Sequence, residues 1–381
     1  MERIAIVGIG LHPFGRTPGK SGLEQGVAAA RAALGNAGLQ WGDIDIGIGG
    51  SRSSGHAAAI SNSLGLTGLP FINVYTGCAT GGSALFSAAN AIRAGQAEFA
   101  LAIGFDKHER GAFSPSANNN GVPAWVSESG LMVTTQFFAL KLQRYMHQHN
   151  ISNDSLIRVA QKAFENGSIN SDAWRRKALS YEEIAQSTMI SDPLRQFMFC
   201  NPAEGGAAII LTSEATAKKL NVQPVFLDAT VIRTRQYGTL EVYNTATPNK
   251  AVPTVTEDAA TLAFEQAGIG PEDIDVLQLQ DTEVGAEIMH MAENGFCEHG
   301  EQEQLIESGQ TYIGGKLPIN TDGGCLANGE PIGASGLRQV YEVCLQLRGD
   351  AGARQVPNNP KTGYTHVYGA PGLAGVNILS I

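Results

Sequence analysis

The chain has 381 residues, of which 43% are hydrophobic and 16% are charged, as expected for a globular protein with a substantial core. Its formal net charge is -10 and it has no dense run of Lys and Arg, which argues against a nucleic-acid partner. The five cysteines are scattered without a CxxC pair, so we expect neither a disulfide framework nor a metal site in this chain.

The N-terminal segment MERIAIVGIG begins as a strand and lacks the basic head, apolar middle and cleavage site of a secretory signal. No later apolar run reaches about 18 residues, so no membrane-spanning helix is predicted and a cytoplasmic location is expected. Strands are predicted at 3–8, 44–48, 71–74, 98–104, 207–212, 224–231, 274–279, 310–315 and 374–380. The helical stretches between them, including 83–94 and 335–347, predict mostly parallel sheets covered on both faces.

An internal repeat organises the chain. Residues 28–50 read AAARAALGNAGLQWGDIDIGIGG and residues 259–280 read AATLAFEQAGIGPEDIDVLQLQ. Each copy reads as an amphipathic helix, a glycine stop, an acidic turn and a buried strand. We therefore predict two α/β halves, 1–222 and 223–381.

A second pair of segments supports the duplication. Residues 77–85, GCATGGSAL, resemble residues 329–337, GEPIGASGL, and both are small-residue turns that lead into helices. The segment from about 108 to 205 is mostly helical and polar, and it interrupts the first half. We interpret it as an inserted loop region that faces the substrate.

Cys78 is the candidate nucleophile. It follows the strand FINVYT and precedes the helix GGSALFSAANAIRAG. A thiol at a helix N-terminus gains from the helix dipole and the free N–H groups, which predicts a lowered pKa and a reactive thiolate. The alternative, on spacing alone, is a buried structural cysteine.

The string NVYTGCATGGSAL resembles the nucleophile loop of thiolases, particularly of the sterol-carrier-type and lipid-transfer-like branches. The segments VGIGLHPFGR, GFDKHERGAF, TMISDPLRQFMFCNPAEGGAAIILT, ENGFCEHGEQEQLIESG and NTDGGCLANGEPIGASG resemble further thiolase segments in the same order. The resemblance covers nearly the whole chain. It implies the thiolase fold, in which duplicated α/β halves form five layers, α-β-α-β-α.

The resemblance also implies four catalytic groups, of which the sequence keeps one. Cys78 matches the nucleophile. Glu330 stands where thiolases have the His of their G-H-P loop, and Gln280 stands at the Asn or His of the N-E-A-F or H-D-x-F loop. The second acid, usually a Cys, is missing from the C-terminal loop HVYGAPGLAG, and Thr282 occupies its other possible place. His366, at the start of that loop, is the alternative acid–base group.

Three interpretations remain open. The chain is a thiolase with altered acid–base residues, a carbon–carbon lyase of the lipid-transfer-like aldolase type, or a thiolase-like subunit without catalysis. In the first, Cys78 attacks a 3-oxoacyl-CoA, and the N–H groups of Cys78 and Gly369 stabilise the oxyanion. Glu330 acts as the base for the thiols, Gln280 holds the thioester oxygen, and coenzyme A is the co-substrate. The same groups also allow condensation in reverse.

Within the family, a retained Cys with lost His partners most resembles the thiolase subunit of 2-benzoylsuccinyl-CoA thiolase from anaerobic toluene degradation. That resemblance implies cleavage to benzoyl-CoA and succinyl-CoA. It also implies a homodimeric core that pairs with a small OB-fold and zinc-ribbon subunit in a heterotetramer, with the zinc in that partner. A free carboxylate on the substrate would be bound by a cationic side chain, for which Arg52 is a candidate.

Two histidines are further candidates for contact with the substrate. His56, in SSGHAAAIS, precedes a helix, and its alternative is a capping or interface role. His108 replaces the usual Met of the K-M-S string.

A ketosynthase-like enzyme would have the same fold, but Glu330 and Gln280 at the positions of its active-site residues disfavour this assignment.

Overall fold

The computed structural model describes residues 2–241, 252–357 and 359–381. Its strands are β1 (Ile4–Gly15), β2 (Ile46–Gly50), β3 (Phe71–Asn73), β4 (Ala100–Lys107), β5 (Met189–Ser191), β6 (Leu194–Arg195), β7 (Glu204–Ser213), β8 (Val225–Thr234), β9 (Val276–Leu279), β10 (Thr362–Gly369) and β11 (Leu373–Ser380). Within the described ranges, no helix is both long and apolar enough to cross a membrane.

The helices fall into three groups. The first half has α1 (Gly22–Ala37), α2 (Ser61–Leu64) and α3 (Thr80–Arg93). The inserted region has α4 (Ala124–Glu128), α5 (Thr134–His149), α6 (Asn153–Ser168) and α7 (Tyr181–Ala185), and α8 (Glu214–Ala217) follows β7. The second half has α9 (Val255–Ala267), α10 (Val284–Glu293), α11 (Gln302–Glu307), α12 (Gly324–Asn328) and α13 (Ser335–Arg348).

Nine strands form one mixed sheet in the order β3-β2-β4-β7-β1-β8-β11-β10-β9. The expectation of mostly parallel sheets is wrong. Only β2–β3, β2–β4 and β9–β10 pair in parallel, whereas the other described pairs in this sheet are antiparallel. The tight turn between β10 and β11 permits only an antiparallel pair, and the insertion between β4 and β7 lets that pair run antiparallel as well.

The layers follow the predicted thiolase order. Helix α1 packs on β1, β4 and β7, and α9 packs on β8 and β11. The sheet has two halves, one with β1 to β4 and β7 and the other with β8 to β11. Helices α3 and α13 lie between these halves and contact each other and strands of both. Helix α3 tolerates this double burial because its inner residues are small and apolar, among them Ala84, Ala88 and Ala89.

The two repeated segments have the same local structure. Helix α1 begins with a capping box of Ser21 and Glu24, and α9 begins with one of Thr254 and Glu257. Each helix ends before a glycine. The chain then forms a short acidic 3₁₀ turn and continues into a buried strand, β2 in the first copy and β9 in the second. The division of the chain at 222/223 stays a prediction.

One strand prediction in the second half is wrong. Residues 310–315 form successive turns, in which the N–H of Tyr312 bonds to Gly309 and the N–H of Gly315 bonds to Tyr312. The glycines of this segment favour turns over a ladder. Conversely, strand β10 was not predicted, because its sequence was interpreted as part of the C-terminal loop.

Candidate active site

Cys78 opens into a cavity of about 650 Å³ at the junction of the two halves and the inserted region. The cavity is also lined by Arg52 after β2, Thr282 after β9, Glu330 before α13 and Tyr368 on β10. Phe113 and Phe138 of the inserted region add apolar surface. Residues of the inserted region therefore form one wall of the cavity, and the contact of this region with a substrate stays a prediction.

The Cys78 loop is held by close backbone contacts that only glycine permits. Gly77 has a φ of 59°, a left-handed conformation that favours glycine. A Cβ on Gly369 would lie 2.5 Å from the carbonyl oxygen of Thr76 and 2.7 Å from the amide nitrogen of Ala79. The turn between β10 and β11 thus packs directly on the nucleophile loop.

The expected lowering of the Cys78 pKa is wrong. Burial raises the pKa of the thiol well above its ordinary value, and the nearby Glu330 carboxylate raises it further through its charge and its hydrogen bonding. Arg52 and the Cys78 N–H act in the opposite direction, with smaller effects. The helix terminus does not overcome the loss of solvent, and the raised pKa favours the neutral thiol.

Glu330 is completely buried, and among the described residues no Lys or Arg forms an ion pair with it. Its Oε2 accepts a hydrogen bond from Gln280 Nε2 at 2.8 Å and lies 4.0 Å from the Cys200 sulfur. Its Oε1 has no hydrogen-bond partner among the described residues. Burial raises the pKa of Glu330, and hydrogen bonding to Cys325 and Cys78 opposes that rise. A buried carboxylate of raised pKa beside a thiol is suited to accept the thiol proton.

Gln280 does not line the cavity. It is fully buried behind Glu330, where its Nε2 also approaches Thr282 Oγ1 at 3.3 Å. The structure thus places Gln280 against Glu330 rather than against a bound thioester, so its expected contact with the substrate is corrected to a contact with the candidate base.

His366 lies outside the cavity as well. Its ring faces α9 and α10, where Nε2 lies 3.1 Å from Thr256 Oγ1 and the ring centroid lies 4.4 Å from that of His290. Burial lowers the pKa of His366 well below its ordinary value, and His290 lowers it further. His366 and the cavity-lining Tyr368 are two residues apart and so share one face of β10, but the His366 ring packs against α9 and α10 and does not line the cavity.

The other histidine candidates do not reach Cys78. His56 is exposed and occupies the N-cap position of a short 3₁₀ turn, without a capping hydrogen bond from its side chain. His108 is buried, with Nδ1 3.0 Å from Ser53 Oγ and Nε2 accepting the N–H of Ile332 at 3.2 Å. Its neutral form fits this acceptor role, since burial lowers its pKa. His108 therefore supports the loop that carries Glu330.

Arg52 is the candidate that the structure leaves at the cavity mouth. Its side chain is exposed, and its guanidinium lies 5.5 Å from the centre of the Phe113 ring. Its backbone N–H binds Asp106, which fixes the loop. Arg52 therefore lines the cavity, and its contact with an anionic substrate group stays a prediction.

Two features of the site were missed from the sequence. Cys200, from the segment FCNPAEGG, lies beside Glu330, and its backbone N–H bonds to Thr282. Tyr368 lines the cavity, and its hydroxyl donates to the buried Glu241 at 2.6 Å. A period-2 interpretation of HVYGAPG as a strand would have predicted that Tyr368 and His366 share one face.

Two family models match the chain. Residues 241–380 match the model "Thiolase C-terminal domain-like", and residues 19–111 match "Beta-ketoacyl synthase, N-terminal domain". An acetyl-CoA acetyltransferase from Methanothermobacter thermautotrophicus is 31% identical, with all of both chains covered. The chain belongs to the thiolase family.

Two more relatives fall in the branches expected from the sequence. Sterol carrier protein 2 from Bos taurus is 31% identical over 99% of this chain and 72% of its own length. Subunit BbsB of benzoylsuccinyl-CoA thiolase from Thauera aromatica is 30% identical over 80% of this chain and 78% of its own length. The resemblance to thiolases is confirmed, and the protein is an acyltransferase of this family.

Solved structures agree on the fold. An Ltp2-ChsH2(DUF35) aldolase superposes with a TM-score of 0.87 at 25% identity, over 100% of this chain and 98% of that one. Human mitochondrial 3-ketoacyl-CoA thiolase superposes with a TM-score of 0.71 at 16% identity, over 100% and 98%. The thiolase fold is therefore confirmed, including its central pair of buried helices.

Proposed function

We propose that the protein cleaves a 3-oxoacyl-CoA with coenzyme A through an acyl-cysteine on Cys78, or runs the same reaction as a condensation. The supporting observation is the pairing of the Cys78 thiol with the buried Glu330 carboxylate in one cavity. A thiol and a carboxylate that share one proton and one negative charge form an activated nucleophile without histidine.

In the first half-reaction, Glu330 takes the Cys78 proton as the sulfur attacks the 3-oxo carbon. The pair carries one negative charge before the transfer, and that charge moves to the sulfur and then to the substrate oxygen. The N–H groups of Cys78 and Gly369 stabilise this oxyanion, since the Gly369 backbone lies against the Cys78 loop. The carbon–carbon bond then breaks, and the electron pair leaves as the enolate of one acyl-CoA.

In the second half-reaction, free CoA loses its thiol proton to water and attacks the acyl-cysteine as a thiolate. The Cys78 sulfur is released and recovers its proton from Glu330. Gln280 acts through Glu330, because its amide holds one carboxylate oxygen and leaves the other without a described partner. The proton that Glu330 takes from Cys78 in the first half-reaction therefore returns to Cys78 in the second.

The acyl group we propose is 2-benzoylsuccinyl, which gives benzoyl-CoA and succinyl-CoA. The similarity to BbsB supports it, as do Phe113 and Phe138 for an aryl ring and Arg52 for a free carboxylate. We also propose a homodimeric core with a small OB-fold and zinc-ribbon subunit, because the aldolase of similar fold is named as a complex with a DUF35 protein.

Mass spectrometry of the protein after incubation with benzoyl-CoA tests the proposal. We expect benzoyl addition on the peptide that contains Cys78, and none in Cys78→Ala. Cys297→Ala is the matched control, because Cys297 is a half-buried thiol outside the cavity, and it should acylate normally. Thiolysis that survives in Cys78→Ala would disprove the covalent route.

The second candidate is a retro-aldol cleavage of a CoA-linked side chain. The close superposition with the aldolase favours it, and Tyr368 supplies a hydroxyl in the cavity. This reaction needs no acyl-enzyme and no free CoA. If a CoA-linked β-hydroxy substrate is cleaved in Cys78→Ala without CoA, the aldolase is the correct assignment.

A further inference from the structure

The proposed cleavage leaves one proton without a source. Glu330 receives its proton from Cys78 and must return it to the same sulfur. The enolate that leaves needs a different acid at its carbon, and a condensation would need a base at that same carbon. This second acid–base group is expected to face the cavity and to connect to a group that can exchange protons with water.

Tyr368 meets the first requirement. It lines the cavity, and the next residue, Gly369, packs on the Cys78 loop. Tyr368 is only 4% exposed. The Tyr368 hydroxyl donates to Glu241 Oε2 at 2.6 Å, within the range in which a proton passes between two oxygens.

Glu241 is itself fully buried, and it meets the second requirement through the neighbouring Lys141, whose side chain is 11% exposed. Its Oε1 accepts the backbone N–H of Val255 at 3.3 Å, and its Oε2 lies 3.9 Å from Lys141 Nζ. The same ammonium lies 5.2 Å from the centre of the Tyr368 ring. Burial disfavours the charge of Lys141, but Glu293 and Glu241 raise its pKa overall. The resulting cation lies beside Glu241 Oε2, the same oxygen that accepts the Tyr368 hydroxyl.

We propose that Tyr368 and Glu241 relay the proton at the α-carbon of the acyl-CoA that leaves as an enolate, with Lys141 as a positioning residue. In the condensation direction, the α-C–H bond breaks as the proton moves to Tyr368 Oη, and the phenolic proton moves to Glu241 Oε2. The electron pair stays on the substrate as the enolate. Cleavage reverses both transfers, and Glu241 exchanges its proton with water.

This inference rests on the proposed function, yet the two can fail separately. The relay is measured as hydrogen–deuterium exchange at the α-carbon of acetyl-CoA, propionyl-CoA and succinyl-CoA in D2O. The Cys78–Glu330 pair is measured as single-turnover release of CoA from benzoyl-CoA. The first assay forms no acyl-cysteine from a 3-oxo substrate, and the second breaks no α-C–H bond.

We expect Tyr368→Phe and Glu241→Gln to slow exchange by about 100-fold or more while the CoA release stays near the wild-type rate. Lys141→Met should slow exchange more than release. Tyr364→Phe is the matched control, because Tyr364 is a buried tyrosine on the same face of β10 whose hydroxyl donates to Asn294 at 2.6 Å. It should exchange and acylate like the wild type.

Three results would overturn the relay: wild-type protein that exchanges none of the three thioesters, Tyr368→Phe that exchanges at the wild-type rate, or Tyr368→Phe that loses exchange and CoA release together. The last would show that Tyr368 only supports the site. Normal exchange without any acyl adduct on Cys78 would instead contradict the proposed function and keep the relay.

Discussion

At the scale of single residues, the site replaces a histidine base with a buried carboxylate. Burial and Glu330 both raise the pKa of the Cys78 thiol, and burial raises the pKa of Glu330. Two groups that each disfavour a second negative charge are best described as a pair that holds one proton. The charge therefore reaches the sulfur only when a substrate oxygen is ready to accept it.

Glu330→Gln separates the two effects of this pair. Loss of the carboxylate removes a charge that raises the Cys78 pKa, so the thiolate fraction at pH 8 should increase about tenfold per unit of lowered pKa. Alkylation by iodoacetamide should become faster. Acylation by benzoyl-CoA should nevertheless fall about 100-fold, because the base is lost. Slower alkylation would show that Glu330 does not act on Cys78.

The pH dependence of acylation is a second test of Glu330. A base acts when deprotonated, so the rate in the wild type should be lost as the pH falls through the Glu330 pKa. Because burial raises that pKa, this limb should lie above the ordinary range of a glutamate carboxyl. Single-turnover CoA release, measured from about pH 4.5 to about pH 8, would locate this limb. A limb that persists unchanged in Glu330→Gln would assign it to another group.

At the scale of elements, loops from four parts of the chain meet at the cavity. The sequence indicates Cys78 from a local pattern, a cysteine between a strand and a helix start, and Glu330 from the resemblance of its loop to the thiolase G-H-P loop. It could not place Cys200, Glu241 or Lys141, because these approach the site only through long-range packing. The Cys78 pKa was wrongly predicted for the same reason, since the dipole is local and burial is not.

Asp106 at the end of β4 ties two of these loops together. One oxygen accepts from Ser51 and Ser53, and the other accepts the N–H of Gly333 at 2.8 Å, close to Glu330 in the chain. Asp106→Asn puts an amide N–H₂ among these donors. We expect a loss of about 2–3 kcal/mol in the free energy of unfolding together with slower acylation.

Urea unfolding at equal m-value would measure this loss. Asp228→Asn is the matched control, because Asp228 forms a partly exposed ion pair with Arg3, and it should cost less than about 1 kcal/mol. Equal stability losses in the two variants would contradict the role assigned to Asp106.

At the scale of the whole molecule, the duplication explains why these two residues meet. Cys78 and Glu330 hold equivalent positions in the two similar segments 77–85 and 329–337. The helices that follow these segments, α3 and α13, lie side by side between the sheet halves. A pseudo-symmetric pair of helices brings equivalent preceding loops together. One copy of the loop thus carries the nucleophile and the other carries its candidate base.

The contact between α3 and α13 depends on glycine at position 81. A Cβ there would lie 2.7 Å from the backbone nitrogen of Leu337, and backbone cannot move aside as a side chain can. Gly81→Ala should therefore cost about 3 kcal/mol of unfolding free energy and slow the acylation of Cys78. In Gly35→Ala, on the open face of α1 with no atom within 4 Å of the new Cβ, stability should instead rise by about 0.5–1 kcal/mol. Parallel urea titrations would compare the unfolding free energies of the two variants. If Gly81→Ala is as stable as Gly35→Ala, α3 and α13 do not approach this closely, and their contact does not explain why the two loops meet.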